Sequence, residues 1–372
     1  MSRWAWAEVD LGAIEHNVRE LRASVAPSEL WAVVKADAYG HGAVPVAAAA
    51  LRAGAAGLCV ALVQEGVALR QGGIDAPVLV LSEQPREELP AAVVHGLICT
   101  VYSHAQVDAL ATAVVAAGRT GQPVHLKVDT GMRRVGAEPA DAVAVADAIR
   151  AAGPVLHLAG VFTHLPVADE PDDPFTADQL RRFDAVLDGL AAAGHRPPVV
   201  HAANSAGLLA HPGARRSLAR AGIAIYGISP GPGVDQLSAG LQPALSLRAR
   251  VSHVKQVRAG ERISYGLRHT FVADTTVATL PIGYADGVPR RLSSVGGEVL
   301  VGGRRRPIVG VVTMDQLMVD VGDAPVAIGD EAVLIGAQGD GAITAAEWAE
   351  RLGTIGYEIV CGISQRVERR YT

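Results

Sequence analysis

Cysteine is scarce and scattered. The chain has three, Cys59, Cys99 and Cys361, and no CxxC pair. That excludes a disulfide framework and a thiolate zinc site, and it fits a reducing cytoplasm. Neither HxH nor HExxH occurs, so the common metal-hydrolase patterns are missing and no metal site is expected. The opening MSRWAWAEVD lacks the apolar core of a secretory signal. The longest apolar stretch, residues 43–63, is broken by Arg52 and by glycines. It predicts a helix followed by a strand, not a membrane span. No charge sign dominates: 33 Lys and Arg stand against 38 Asp and Glu, a net −5. Nucleic acid and anionic membranes are therefore not expected partners. The one basic run, Arg304-Arg305-Arg306 after Gly302-Gly303, reads as a solvated hairpin turn.

What is present is a long chain with a large apolar share. With 372 residues, 49% of them hydrophobic, it can bury a large core and form two domains. Over the first two-thirds, short apolar runs alternate with alanine-rich helical stretches that end at glycine. The runs are residues 31–37, 57–62, 77–82, 98–103, 124–130, 156–164, 199–205 and 218–227. Such alternation implies parallel strands with helical crossovers. Eight units in about 200 residues predict a closed (β/α)8 barrel, with an open doubly wound sheet as the competing fold. The beat stops near residue 235, at GISPGPGVDQLSAGLQP. Beyond it, apolar–polar alternation and turn signals predict a β-rich domain with a late helix over 344–353. The expected domains are 1–236 and 237–372, with residues 2–10 a candidate strand of the second.

Barrel enzymes carry their chemistry at the C-terminal ends of the strands. In these runs those ends hold Lys35, then Lys127, Asp129 and Arg134, then His164, then Asn204-Ser205, then Arg220 and Gly222. Singly, each has an ordinary explanation: a buried histidine, a helix cap, a salt-bridged arginine. Together they converge on one barrel mouth. A helix start at Ser205 and free amides at Gly222-Ile223 would make an anion cradle. A lysine facing such a cradle suggests a phosphorylated aldehyde held covalently, which means pyridoxal 5'-phosphate.

AVVKADAYGHG, HLKVDTGMRRVG, FTHL, HAANSAG, ARAGIAIYG, ISYG, IGYADG, TMDQ and YEIVCGIS occur in this order. This series resembles the motifs of alanine racemase, a fold-type III pyridoxal phosphate enzyme, over essentially the whole chain. The resemblance implies that Lys35 binds the cofactor and serves as base on one face of the substrate Cα. Tyr265 would be the base on the other face, tuned through His164 and Arg220. Arg220 would also lie against the pyridine nitrogen. Tyr39, Ser205, Gly222 and Ile223 would hold the phosphate, with Asn204 fixing the loop. Arg134 would reach the cofactor's phenolic oxygen and the substrate carboxylate, oriented by Lys127 in carbamylated form. Met314, Asp315 and Tyr284 would meet the substrate. Tyr265 and these three would come from a partner subunit, which implies a homodimer with shared active sites. The implied role is supply of D-alanine for peptidoglycan in the cytoplasm.

Two positions depart from the family pattern. Gln365 follows Ser364 where a tyrosine is usual, so the entrance would be looser. Arg133 stands beside Arg134 where a glycine is usual. The alternatives are a racemase of broader range, acting on serine or basic amino acids, and a non-catalytic pyridoxal phosphate carrier.

Overall fold

The computed structural model describes residues 4–372. The chain divides into two compact units. One comprises Ile14–Ala38 and Ala43–Gln242; the other comprises Met1–Ala13, Tyr39–Gly42 and Pro243–Thr372.

The first unit is a barrel. After an N-terminal strand β1 (Ala5–Val9), which belongs to the other unit, come β2 (Glu29–Val33), β3 (Gly57–Val60), β4 (Val78–Val80) and β5 (Cys99–Val101). They are followed by β6 (Gln122–Lys127), β7 (Leu156–Phe162), β8 (Val199–His201) and β9 (Leu218–Ala221). The strands pair in parallel in the orders β4-β3-β2-β9 and β5-β6-β7-β8. A parallel bridge between Leu79 and Ile98 joins the two runs on one side. On the other, the Arg220 amide donates to the Ala203 carbonyl at 3.0 Å. The ring closes, which selects the barrel over the open sheet.

The sequence forms these strands because parallel strands covered on both faces need continuous apolar runs. Leu58, Cys59, Val60, Val78, Leu79 and Val80 have no exposed surface. The strands stop earlier than the apolar runs suggest: β2 ends at Val33 rather than 37, and β9 at Ala221 rather than 227. The residues beyond them form tight turns at the barrel mouth.

The second unit is built on a ten-stranded sheet. Within it β1 pairs antiparallel with Leu245–Arg250 and parallel with Glu368–Tyr371. Residues 2–3 of the expected N-terminal strand lie outside the described residues. The late helix is Ala345–Leu352, with the Thr344 side chain accepting from the Glu347 amide and Gly353 turning left-handed at its end. A second short helix, Gly356–Cys361, lies within the YEIVC motif. The basic run is not the turn itself. Gly302 and Gly303, at φ 61° and 75°, make the turn, and Arg304–Val309 is a strand. Arg305 pairs there with Glu298 and Glu347, two carboxylates that the linear sequence keeps apart. Among the described residues no helix is long and apolar enough to cross a membrane.

Candidate active site

Lys35 opens the most strained segment of the barrel. Ala36, Asp37, Ala38 and Tyr39 have φ of 53°, 52°, 53° and 54°. Four consecutive non-glycine residues in the left-handed region cost roughly 1–2 kcal/mol each. Such a turn persists only where its surroundings over-determine it. The Ala38 amide donates to the Val34 carbonyl at 2.9 Å. The Ala36 amide donates to Glu65 Oε1 at 2.6 Å. Asp37 Oδ1 accepts from the Ala43 amide at 2.7 Å. The expected strand over 31–37 thus becomes a strand plus a turn that presents Lys35 at the barrel mouth.

Arg220, on β9, is 3% exposed. Its guanidinium donates to the carbonyls of Thr163 at 2.9 Å and Ala202 at 3.1 Å. It also meets His201 Nδ1 at 2.5 Å and His164 Nδ1 at 3.2 Å. Arginine has only donors, so both imidazole nitrogens accept and both rings carry their hydrogen on Nε2. His201 Nε2 in turn donates to His125 Nδ1 at 2.9 Å. Burial, followed by the Arg220 charge, pushes the proton affinities of His164 and His201 well below 6.5 and that of His125 down to about 3. All three rings are neutral. The Phe162 ring stacks on His201 at 4.6 Å between centroids and lies beneath the Arg220 guanidinium and the Lys127 ammonium.

Lys127, at the end of β6, is buried and donates to the Leu81 carbonyl at 3.3 Å. Burial and the charges of Arg220, Arg134 and Lys35 pull its pKa from 10.5 to about 8, against a smaller opposing effect of Asp129. Asp129 Oδ1 is already used, accepting from the amides of Gly131 at 2.9 Å and Arg133 at 3.0 Å. Arg133 pairs with Glu138 at 2.8 Å on the surface. Arg134 is the arginine whose charge reaches Lys127 and His164. The barrel mouth therefore gathers Lys35, Lys127, Arg134 and Arg220, with Asp129 the one opposing charge among those acting on Lys127.

Next to them lies a set of oriented amides. Asn204 Oδ1 accepts from the Gly207 amide at 2.8 Å, capping the helix Ser205–Ala210, and its Nδ2 donates to the Leu165 carbonyl at 2.9 Å. Ser205 Oγ accepts from the amides of Gly222 at 2.8 Å and Ala224 at 3.4 Å. These bonds bring Asn204, Ser205, Gly222 and Ile223 together at the ends of β8 and β9. Tyr226, fully buried, donates its hydroxyl to the Val33 carbonyl at 2.9 Å and ties that turn to β2.

The remaining candidates lie in the second unit. Tyr265 is 74% exposed. It lies in a turn in which Ser264, Gly266 and Leu267 all have positive φ and Ser264 Oγ donates to the Val311 carbonyl at 3.0 Å. Met314 and Tyr284 are also exposed. Their loops meet at Gly283, where an added Cβ would stand 2.2 Å from the Thr313 carbonyl oxygen. Asp315 is engaged by Arg366 at 2.6 Å, and Arg366 also approaches the buried Asp286 at 3.5 Å. The Tyr39 ring lies 6.1 Å from that of Tyr357. Gln365 is exposed in a turn fastened by Arg369, which donates to the carbonyls of Ile363, Ser364 and Val367.

Sequence reasoning did not single out Glu65, His125, His201 or Tyr226. For the histidines a signal existed: His125, His164 and His201 recur in three successive apolar runs, where an imidazole needs a partner.

Family models match both parts of the chain: "Alanine racemase, N-terminal domain" over residues 9–230 and "Alanine racemase, C-terminal domain" over 244–371. The alanine racemase of Symbiobacterium thermophilum is 51% identical over 99% of this chain and 97% of its own length. That of Mycobacterium tuberculosis is 48% identical over 99% and 96%. Among solved structures, the Bacillus anthracis alanine racemase with bound L-Ala-P superposes with a TM-score of 0.94 at 41% identity, covering 100% of this chain and 96% of that one. The alanine racemase of the D-cycloserine producer Streptomyces lavendulae gives the same TM-score and identity over 100% and 98%. With the two domain models matching residues 9–230 and 244–371, the chain belongs to the alanine racemase family.

Proposed function

We propose that this protein interconverts L- and D-alanine with pyridoxal 5'-phosphate as cofactor. The observation that carries the reading is the gathering of Lys35, Lys127, Arg134 and Arg220 at one barrel mouth with little opposing charge. Two of the four, Lys127 and Arg220, are buried, and buried cations persist when an anion meets them. A phosphate, a phenolic oxygen and a substrate carboxylate would supply those charges. The amides and hydroxyl around Ser205 and Gly222 suit the phosphate, with Asn204 fixing their geometry, Ile223 alongside and Tyr39 adding a hydroxyl. Arg134 suits the phenolic oxygen and the carboxylate. Lys35 suits covalent attachment.

When bound, pyridoxal phosphate acts as an electron sink that acidifies the substrate Cα–H. Arg220 sets how strong a sink it is. A guanidinium keeps its proton, so a cofactor ring nitrogen held by Arg220 would stay unprotonated. Racemisation needs a base on each face of Cα. Lys35 serves one face. Tyr265, exposed on its turn, serves the other from a second copy of this chain, accompanied by Met314, Tyr284 and Asp315. The functional unit is then a homodimer, since each site is incomplete without the partner. Lys127, its pKa lowered from 10.5 to about 8, keeps a neutral amine fraction near pH ~7 that an unperturbed lysine lacks. It can take up carbon dioxide, forming an N–C bond and releasing one proton, and the resulting carbamate would pair with Arg134. D-alanine supply for peptidoglycan in the cytoplasm is the role this activity serves.

The test is incubation with L-alanine in deuterium oxide, followed by chiral separation, with L-serine and L-lysine run in parallel. D-alanine carrying deuterium at Cα is the expected product. No D-isomer from a cofactor-loaded protein would reduce the chain to a carrier. Gln365 favours a second, broader reading in which serine is also turned over, and the serine arm measures it.

A further inference from the structure

We propose that Glu65 is a positioning residue for Lys35: its one carboxylate holds the left-handed turn that presents the lysine to the barrel mouth. The proposal rests on the racemase reading of Lys35. Glu65 stands in the first turn of the helix Val63–Gln71. Its Oε2 accepts from the amides of Ala61 at 2.8 Å and Leu62 at 3.0 Å. This much is a local helix-start cap. Its Oε1, however, accepts from the Ala36 amide at 2.6 Å, 29 residues away in sequence. That amide nitrogen is bonded to the carbonyl carbon of Lys35. Fixing it fixes the peptide plane from which the lysine side chain departs.

The turn needs such a hold. Ala36 to Tyr39 lie in a region that side-chain-bearing residues avoid. A carboxylate is the group that fits. Three amide donors converge on two oxygens, and an ionised carboxylate offers only acceptors. A glutamine would present an NH2 to one donor set or the other. From this turn the charge of Lys35 reaches Lys127, His164 and the fully buried Cys59 of β3.

The experiment compares Glu65→Gln, Glu65→Asp and the double variant Glu65→Gln/Ala36→Gly with the wild-type holoenzyme. Aspartate keeps the charge near Leu62 but is one methylene short of Ala36. Hydrogen exchange is followed in residues 34–39 and 61–71, and kcat and KM for alanine are measured alongside. For both single variants, exchange in 34–39 rises about tenfold or more, and kcat falls by a similar factor while KM stays within about twofold. Ala36→Gly then restores several-fold of the lost kcat, because glycine adopts a φ near 53° without a Cβ penalty. Faster exchange confined to 61–71, with kcat unchanged, would make Glu65 a helix cap and nothing more. Lost kcat without faster exchange in 34–39 would equally overturn the proposal. If glutamine prevents folding, the milder aspartate variant decides by the same two readouts. The exchange measurement needs no turnover, so it separates failure of this proposal from failure of the racemase reading.

Discussion

Arg220 Nη2 lies 3.2 Å from His164 Nδ1, and because the guanidinium can only donate, that nitrogen is the acceptor. His164 therefore offers an N–H at Nε2, and it stays neutral, its proton affinity being well below 6.5. The same arginine satisfies His201, Thr163 and Ala202. Arg220→Lys keeps the charge but loses the planar fork. It leaves at least one buried acceptor without a donor, at a cost of about 1–3 kcal/mol. The expected result is a lower thermal midpoint together with a fall in kcat of about a hundredfold or more, because His164 loses its fixed partner and, on the proposed reading, so would the cofactor's ring nitrogen. Thermal unfolding and steady-state kinetics check it; an unchanged midpoint would contradict the hydrogen-bond accounting.

Lys127 gives a pH dependence with a definite sign. Its pKa is about 8 in the folded protein against 10.5 as the reference. Below about pH 8 both states carry the proton, and the folded state bears the full cost of the buried charge. Between 8 and 10.5 the unfolded chain binds a proton that the folded one does not, so stability rises with pH across that window. In carbon-dioxide-free buffer, Lys127→Met is therefore more stable than wild type near pH ~7, and the difference shrinks toward pH ~10. Denaturant unfolding at a series of pH values measures this. With bicarbonate present, native mass spectrometry should find one carbon dioxide added per wild-type chain and none on the variant. A bare wild-type chain under those conditions would remove the carbamate from the reading.

Gln365 sits exposed in a turn that Arg369 fastens by its backbone carbonyls. The turn is built independently of the side chain at 365, so that side chain can change without moving the loop. Gln365→Tyr is expected to raise the ratio of kcat/KM for alanine over serine by about tenfold, the scale on which added bulk excludes one hydroxymethyl group. An unchanged ratio would mean that the entrance is set elsewhere.

The barrel was legible because its parallel strands are buried on both faces. Runs such as PVLVLS and GLCVAL need no partner context to read as strands, and β3 and β4 fall inside them. The polar residues ending the runs were legible for the complementary reason, that Lys127 and Arg220 are costly where an apolar residue would fit. The turn at KADAY was not. Alanine and aspartate carry no left-handed signal, and the conformation is imposed by Glu65 from the next βα unit. Nor was the pairing of Asp315 with Arg366 visible, since 51 residues separate them.

The proposed sharing of the active site between two copies makes the last prediction. Tyr265 is three-quarters exposed, yet the turn that carries it has strained backbone conformations at Ser264 and Leu267. Strain around a solvent-facing ring has a use if another surface docks there. If Lys35 of one copy works with Tyr265 of the other, Lys35→Ala and Tyr265→Phe homodimers are both impaired. Mixing them under conditions that exchange subunits gives heterodimers in which one site carries two mutations and the other carries none. At equal mixing, about half of the dimers are mixed and each holds one intact site, so about a quarter of wild-type activity returns. Regain that follows the kinetics of subunit exchange would support the shared site. No regain, with exchange verified by mass-tagged subunits, would put both bases in one chain.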